Sequence, residues 1–158
     1  SAYGELLLQY GRPHKGAVEF VRDFSHHYGI DEYNSIASTA NGADVRTFLG
    51  MTGLRPFFPD SHIIALENVD PDKTKPHKQA FDRAFLSLGL PEKARPHVFA
   101  FEDDPRGMLS ARRAGLTVCA ITSRYDCDFL RQVEAKPDYI ADSFAEFRDM
   151  FDLPPLPE

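Results

Sequence analysis

The 158-residue chain contains 18 Lys and Arg residues and 24 Asp and Glu residues, so its formal net charge is −6. This length suits one domain with a buried core. An acidic chain without a basic run does not fit nucleic-acid binding, which needs clustered Lys and Arg. No apolar stretch approaches the roughly 20 residues that cross a bilayer, so we expect no membrane contact. The two cysteines exclude a disulfide framework and favour the cytoplasm or another reducing compartment.

Helical periodicity alternates with short apolar runs along the chain. Helices are predicted at 16–28, 43–51, 77–88, 107–114, 128–133 and 144–151, and strands at 34–38, 62–66, 98–101, 116–121 and 139–141. A proline-rich tail follows at 152–158. Strands that alternate with helices are typical of βαβ units. The sequence therefore predicts an α/β fold, a Rossmann-like three-layer α/β/α arrangement with a mostly parallel sheet, as a single domain over 1–158.

Three groups of polar residues lie at the ends of predicted strands or just before a predicted helix. In parallel sheets, ligands bind outside the carboxyl ends of the strands. Ser38 and Thr39, with Asn41 close behind, stand between a strand and a helix start. Hydroxyl groups beside a helix N-terminus favour an anion, because free N–H groups and the helix dipole both attract negative charge. Ser and Thr are also preferred N-caps, so a purely structural role remains the alternative.

Two further groups carry charge. Lys75 lies in a turn that opens the helix predicted at 77–88, and it could neutralise a phosphoryl oxygen or simply be solvated. Glu102, Asp103 and Asp104 directly follow an apolar strand. Adjacent carboxylates repel one another, and a hard cation such as Mg²⁺ would offset that repulsion. Capping of the next helix is the alternative, and it suits Asp104 best.

In chain order, the hydroxyl residues, Lys75-Pro76 and the acidic cluster resemble the second, third and fourth motifs of the haloacid dehalogenase-like (HAD-like) superfamily, best known for Mg²⁺-dependent phosphatases and sugar-phosphate mutases. The similarity covers about residues 13–150 and includes Pro105-Arg106-Gly107. It implies a HAD-like core and hydrolysis of a small phosphorylated molecule, a phosphomonoester. The roles that it implies are phosphate binding by Ser38, Thr39 and Asn41, a catalytic role for Lys75, and Mg²⁺ coordination by Glu102 and Asp103.

One expected motif is not found in the chain. Members of the family start with an apolar strand that ends in Asp-x-Asp, whose first Asp is the nucleophile. This sequence has no Asp before Asp23, which falls inside a predicted helix, and Asp126-Cys127-Asp128 is predicted to open another helix. We therefore expect that the chain as it stands does not transfer phosphoryl groups.

Two interpretations of residues 1–12 stay open, and no cap domain is evident. They are either the remnant of a cap helix or a degenerate first strand built on Leu6-Leu7-Leu8. The first interpretation leaves a gap in the middle of the sheet, which a protein partner or a second chain would have to fill. Two functions follow: a HAD-like phosphohydrolase or the larger part of one, and a catalytically inactive domain that serves as a binding or scaffold subunit of a larger assembly.

Overall fold

A computed structural model describes residues 14–157, so both interpretations of residues 1–12 lie outside the described part of the chain. The helices are α1 (Ala17–His27), α2 (Gly42–Thr52), α3 (Gln79–Ser87), α4 (Pro105–Arg113), α5 (Cys127–Gln132) and α6 (Phe144–Met150). The strands are β1 (Ile36–Ala37), β2 (Ile63–Ile64), β3 (Phe99–Glu102), β4 (Thr117–Ile121) and β5 (Tyr139–Ala141). Short 3₁₀ helices, which the sequence patterns did not predict, span Arg55–Phe57, Asp60–His62, Leu66–Asn68 and Glu92–His97.

The strands form two parallel sheets. In the smaller sheet β1 pairs with β2, and Ala37 lies opposite Ile64. In the larger sheet the order is β3-β4-β5, with Glu102 opposite Ala120 and Ala120 opposite Ile140. Every neighbouring pair is parallel, as the alternation of strands and helices predicted, because parallel neighbours need a crossover connection.

Two apolar cores cover the two faces of these sheets. Alternate strand residues such as Ile36 and Phe101 belong to one core, together with residues of α1, α2 and α6. Their neighbours Ala37 and Ala100 belong to the other core, with residues of α3, α4 and α5. Side chains alternate along a strand, so helices lie on both faces. The predicted three-layer α/β/α arrangement is confirmed.

Phenylalanine dominates the first of these cores. The ring of Phe20 on α1 lies 5.2 Å from that of Phe101 on β3 and 5.4 Å from that of Phe144 on α6, measured between centroids. All three residues are buried. Aromatic pairs at such distances contribute about 0.5–1.5 kcal/mol each beyond the burial of their area. This packing fixes α1 and α6 against the face of β3.

Local signals mark the helix ends. Asn41 caps α2, and Gly53 closes it with a φ of 75°, a left-handed conformation that glycine adopts without steric cost. Asp104 caps α4, where its side chain accepts a hydrogen bond from the backbone N–H of Arg106 and Pro105 occupies the first helical turn. Within residues 14–157, no helix is long and apolar enough to span a membrane.

Candidate functional site

Lys75 joins the carboxyl ends of β1 and β3. Its ammonium nitrogen Nζ donates to the backbone carbonyl of Ala37, which directly precedes Ser38, at 3.1 Å. It also donates to Oε2 of Glu102, the last residue of β3, at 3.1 Å. The three groups that the sequence analysis singled out therefore converge, although Ser38, Lys75 and Glu102 lie far apart in the chain.

Lys75 is almost completely buried. Its side chain is 7% exposed, and Nζ lies 4.9 Å from the centroid of the Phe81 ring. Burial lowers the pKa of Lys75, while the charge of Glu102 opposes that shift. An ammonium group has three donors, and two of them serve Ala37 and Glu102. The third can serve an anionic ligand.

Glu102 points inward rather than toward solvent. Its carboxylate is fully buried, and Oε1 accepts from the backbone N–H groups of Asp103 at 3.2 Å and Asp104 at 3.4 Å. Desolvation raises the pKa of Glu102 to about 7, although Lys75 acts in the opposite direction. Gly107 makes this position possible, because a methyl group on its Cα would overlap the Glu102 carboxylate.

Asp103 lies at the mouth of the site. Its side chain is only 4% exposed, and its Oδ2 accepts from the Ser123 hydroxyl at 3.3 Å and lies 4.0 Å from Nε of Arg124. Ser123 and Arg124 follow β4, the neighbour of β3 in the sheet. The sequence analysis did not assign these two residues to the site. Their place after a predicted strand adjacent in the chain to β3 was the available signal.

Two arginines contact the carboxylate of Asp104. Arg106 contacts it at 3.1 Å and Arg124 at 3.3 Å, between a guanidinium nitrogen and Oδ2 in each case. Burial alone would raise the pKa of this carboxyl, but hydrogen bonds from Arg106 outweigh that effect and lower it. Asp104 is also the N-cap of α4. These contacts match the capping role that the sequence analysis gave as the alternative for this residue.

The predicted phosphate-binding residues occupy the loop between β1 and α2. Ser38 is buried, and its hydroxyl accepts from the backbone N–H of Ala40 at 3.1 Å, whereas Thr39 is exposed. The side chain of Asn41 accepts from the N–H of Asp44 at 2.9 Å as the N-cap of α2. The structure thus places Ser38 next to Lys75 and gives Asn41 a capping role.

The first turn of α2 already has an anionic partner. The carboxylate of Glu67 accepts from the backbone N–H of Gly42 at 2.7 Å. Glu67 comes from the 3₁₀ helix that follows β2, and no sequence signal pointed to it. A helix N-terminus favours an anion, and the carboxylate of Glu67 already occupies part of that position in α2.

The other Asp pair lies outside the site. Asp126 is the N-cap of α5, and its side chain accepts from the backbone N–H of Phe129 at 2.8 Å. Asp128 is exposed in the first turn of the same helix. Cys119 is buried in β4, and burial raises the pKa of its thiol, which disfavours the reactive thiolate.

Magnesium coordination can be judged from the donors. Mg²⁺ takes one or two protein carboxylates plus phosphate and water. Asp103 suits this role, because its carboxylate lies at the strand end beside the loop that follows β4. Both oxygens of Glu102 hold hydrogen bonds, so Glu102 would have to give one up. Among residues 14–157, no three His, Cys, Asp or Glu side chains are grouped to hold a metal.

Comparison with solved structures decides the fold. A HAD hydrolase of family IA, variant 3, from Entamoeba histolytica superposes with a TM-score of 0.71 over 95% of this chain, at 24% sequence identity. A HAD-superfamily hydrolase from Ehrlichia chaffeensis superposes with a TM-score of 0.63 over 89% of the chain, at 17% identity. The fold is HAD-like. The resemblance expected from the sequence is therefore confirmed at the level of the fold.

Two further similarities concern proteins with more specific names. A protein described as a predicted phosphoglycolate phosphatase from Haemophilus somnus superposes with a TM-score of 0.65 over 94% of the chain, at 23% identity. Protein CbbY from Rhodobacter capsulatus is 36% identical over 91 residues, or 58% of this chain. No family model matches the chain.

This HAD-like chain is shorter than its relatives. It covers 38% of CbbY. It covers 64% of the Entamoeba protein, 58% of the Ehrlichia protein and 61% of the Haemophilus protein. The chain thus spans less than two thirds of each of these proteins.

Proposed function

We propose that this HAD-like domain binds a small phosphomonoester and forms the phosphate-binding part of a Mg²⁺-dependent phosphohydrolase. The observation that carries the proposal is the position of Lys75, which bonds to both Ala37 and Glu102. A buried cation at the carboxyl ends of two parallel strands suits an anionic substrate, since ligands of open α/β sheets bind outside these strand ends. The fold shared with HAD-superfamily hydrolases supports the same class of reaction.

Each proposed residue has a chemical role. The remaining N–H of Lys75 would donate to a phosphoryl oxygen and offset charge that develops during transfer. Ser38 or Thr39 would donate a hydroxyl hydrogen bond to another phosphoryl oxygen. Asn41 remains a predicted contact, although its side chain serves α2 in this structure.

Magnesium belongs to the proposal as well. Mg²⁺, when bound, would reduce the negative charge of the phosphoryl group. Asp103 would hold it, and Glu102 remains a predicted second ligand that would exchange its bond to Lys75 for the metal. Arg124 would then stay near Asp104 and limit the net negative charge of the loop.

The nucleophile is proposed to come from outside residues 14–157. Within that range, the carboxylates at the carboxyl end of β3 contact Lys75, Ser123, Arg106 or Arg124. We propose that a protein partner or second chain that completes the sheet supplies the attacking group. The rival function is a catalytically inactive binding or scaffold subunit, which the mutual pairing of Lys75 with Glu102 favours.

Turnover separates the two functions. The 158-residue chain alone is expected to leave p-nitrophenyl phosphate intact with or without Mg²⁺, while it still binds inorganic phosphate in isothermal titration calorimetry. Intact-mass measurement establishes that the assayed protein is the 158-residue chain. Magnesium-dependent turnover by that chain would contradict the absence of a nucleophile, and failure to bind phosphate in the presence of Mg²⁺ would favour the scaffold function.

Substitution of Lys75 tests the phosphate site directly. Lys75→Ala is expected to weaken phosphate binding by about tenfold to a hundredfold, since a charge-assisted hydrogen bond contributes about 1.5–3 kcal/mol. Lys73→Ala is the matched control, because Lys73 lies two residues away with a side chain 46% exposed and only a 3.9 Å contact to Asp70. Equal affinity of the two variants, measured by calorimetry, would remove Lys75 from the site.

A further inference from the structure

Lys75 lies in a hydrogen-bonded turn between β2 and α3. The backbone N–H of His77 donates to the carbonyl of Thr74 at 2.9 Å, so these two residues close a four-residue turn around Lys75. The Lys75 side chain leaves this turn and reaches the carboxyl ends of β1 and β3. A connecting turn is less rigid than a helix or strand, so the position of Lys75 depends on what holds the turn.

Two carbonyl groups of this turn accept hydrogen bonds from α4. The hydroxyl of Ser110 donates to the carbonyl of His77 at 2.6 Å. The guanidinium of Arg113 donates to the carbonyl of Pro76 at 3.1 Å. These contacts join segments that lie 33 and 37 residues apart in the chain. The two residues that follow Lys75 are therefore attached to α4.

The hydroxyl of Ser110 bonds outside its own helix. A serine inside a helix can donate to a carbonyl three or four residues earlier in the same helix. Ser87 of α3 does so, with a contact of 2.6 Å to the carbonyl of Ala84. Ser110 is fully buried and donates to another segment instead. A buried hydroxyl costs free energy unless it is hydrogen-bonded, so the contact with His77 accounts for a serine at this position.

The same helix also determines where Glu102 can lie. Gly107, in the first turn of α4, leaves room for the Glu102 carboxylate. Ser110 lies three residues after Gly107, and residues at this spacing are neighbours on one face of a helix. Both residues are buried. One face of α4 therefore contacts both members of the buried pair, Glu102 directly and Lys75 through its turn.

We propose that Ser110 and Arg113 are positioning residues for Lys75. Their hydrogen bonds hold the turn so that Nζ of Lys75 reaches both the carbonyl of Ala37 and the carboxylate of Glu102. Ser110 makes the buried contact and Arg113 the exposed one. Any effect of these residues on phosphate binding rests on the proposed function, whereas their effect on the position of Lys75 does not.

The ring of Phe81 provides a spectroscopic signature for the position of Lys75. Nζ of Lys75 lies over the face of this ring, 4.9 Å from its centroid. An aromatic ring shields nuclei above its face, so the terminal methylene protons of Lys75 are expected to resonate upfield of those of exposed Lys73. In the full chain with ¹³C-labelled lysine, the Lys75 resonance is identified by its loss in Lys75→Arg. This NMR measurement needs neither phosphate nor Mg²⁺.

Removal of the Ser110 hydroxyl tests the proposal. Ser110→Ala is expected to move the Lys75 resonance toward that of Lys73, because the carbonyl of His77 loses its donor and the turn is released. Affinity for inorganic phosphate, measured by calorimetry, is expected to weaken by about twofold to tenfold, the range that one neutral hydrogen bond accounts for. Ser87→Ala is the matched control, since it removes a hydroxyl that bonds within its own helix. It is expected to change neither quantity.

Arg113→Ala is a second variant that decides the outcome if Ser110→Ala does not fold. Arg113 is exposed, so its truncation costs little stability. The substitution releases the carbonyl of Pro76 and is expected to shift the Lys75 resonance in the same direction, by a smaller amount. Arg131→Ala is its control, because Arg131 is exposed on α5, and it is expected to leave the resonance unchanged.

The Lys75 resonance separates positioning from a purely structural role. If Ser110→Ala is folded but less stable and the resonance stays in place, the proposal is overturned, and an equal shift in Ser87→Ala overturns it as well. If the parent chain does not bind phosphate, the proposed function fails and the resonance alone decides the positioning role. A shifted resonance with unchanged phosphate affinity would confirm positioning and remove Lys75 from the phosphate site.

Discussion

Lys75 lies in a place where burial disfavours its charged form. Burial lowers its pKa, and Glu102 compensates by accepting a hydrogen bond at 3.1 Å. Removing one partner of such a pair leaves the other charge buried, which typically costs about 3–5 kcal/mol. Single substitutions of either residue therefore report on stability as well as binding, and the phosphate titrations need variants shown to be folded.

Gly107 decides where Glu102 can lie. Gly107→Ala is expected to destabilise the chain by about 1–3 kcal/mol, since the added methyl overlaps the Glu102 carboxylate and forces it away from Lys75. Urea denaturation measures the change. The matched control is Gly50→Ala, where no atom lies within 4 Å of the new methyl and helix propensity predicts a gain of about 0.5–1 kcal/mol. Equal stability of Gly107→Ala and the parent chain would contradict the inward position of Glu102.

The pKa of Glu102 predicts a pH dependence. Its value is raised from 4.5 to about 7, so the folded chain holds this proton more strongly than the unfolded chain. The contribution of the group is fully present below pH 4.5 and is lost as the pH rises through about 7. Relative to Glu102→Gln, which imitates the protonated form, the parent chain is expected to lose stability over this interval.

Urea denaturation at about pH 5 and about pH 8 measures this difference. Glu92→Gln is the control, because the pKa of exposed Glu92 is lowered by Arg95 and its contribution is lost only as the pH falls. Parallel pH profiles for the parent chain and Glu102→Gln would contradict the raised pKa.

At the scale of elements, caps hold the short helices in place. α5 has only six residues, so its N-cap Asp126 contributes a large share of its local stability. Asp126→Ala is expected to cost about 1 kcal/mol in urea denaturation. The affinity for inorganic phosphate is expected to stay unchanged, since Asp126 caps a helix outside the candidate site.

Asp128→Ala is the matched control, since Asp128 is exposed in the same turn and serves no cap. It is expected to change stability by less than about 0.5 kcal/mol. A loss of phosphate affinity in either variant, measured by calorimetry, would return the Asp126-Cys127-Asp128 pair to consideration as part of the site.

The helices and strands were largely predictable because their signals are local. The predicted strand at 139–141 is present over the same residues, and α1, α2 and α6 lie within a residue or two of their predicted bounds. The site was predictable in part. Lys75 contacts Glu102 and Ala37, the residue before Ser38, whereas Ser123, Arg124 and Glu67 enter only through contacts between distant segments. No local pattern encodes such contacts.

At the scale of the whole molecule, the two sheets differ in how many strands pair with one another. β1 and β2 form a sheet of two short strands, while β4 is paired on both sides in the larger sheet. Isolated two-stranded pairs are marginally stable, so the smaller sheet is expected to open more easily.

Native-state hydrogen exchange checks this expectation. Amides of β1 and β2 are expected to exchange at least roughly tenfold faster than those of β4. Equal protection of the two sheets would contradict the expectation that the smaller sheet opens more easily.

By itself, the sequence determined the order of helices and strands, the α/β class and the polar residues at the strand ends. Periodicity, caps and turns act over a few residues, so they are visible in one chain. Only the tertiary structure decided that Glu102 turns inward onto Lys75 and that Asn41 caps α2. These features depend on how side chains pack and pair in the folded chain, and burial then shifts the pKa values of Lys75 and Glu102.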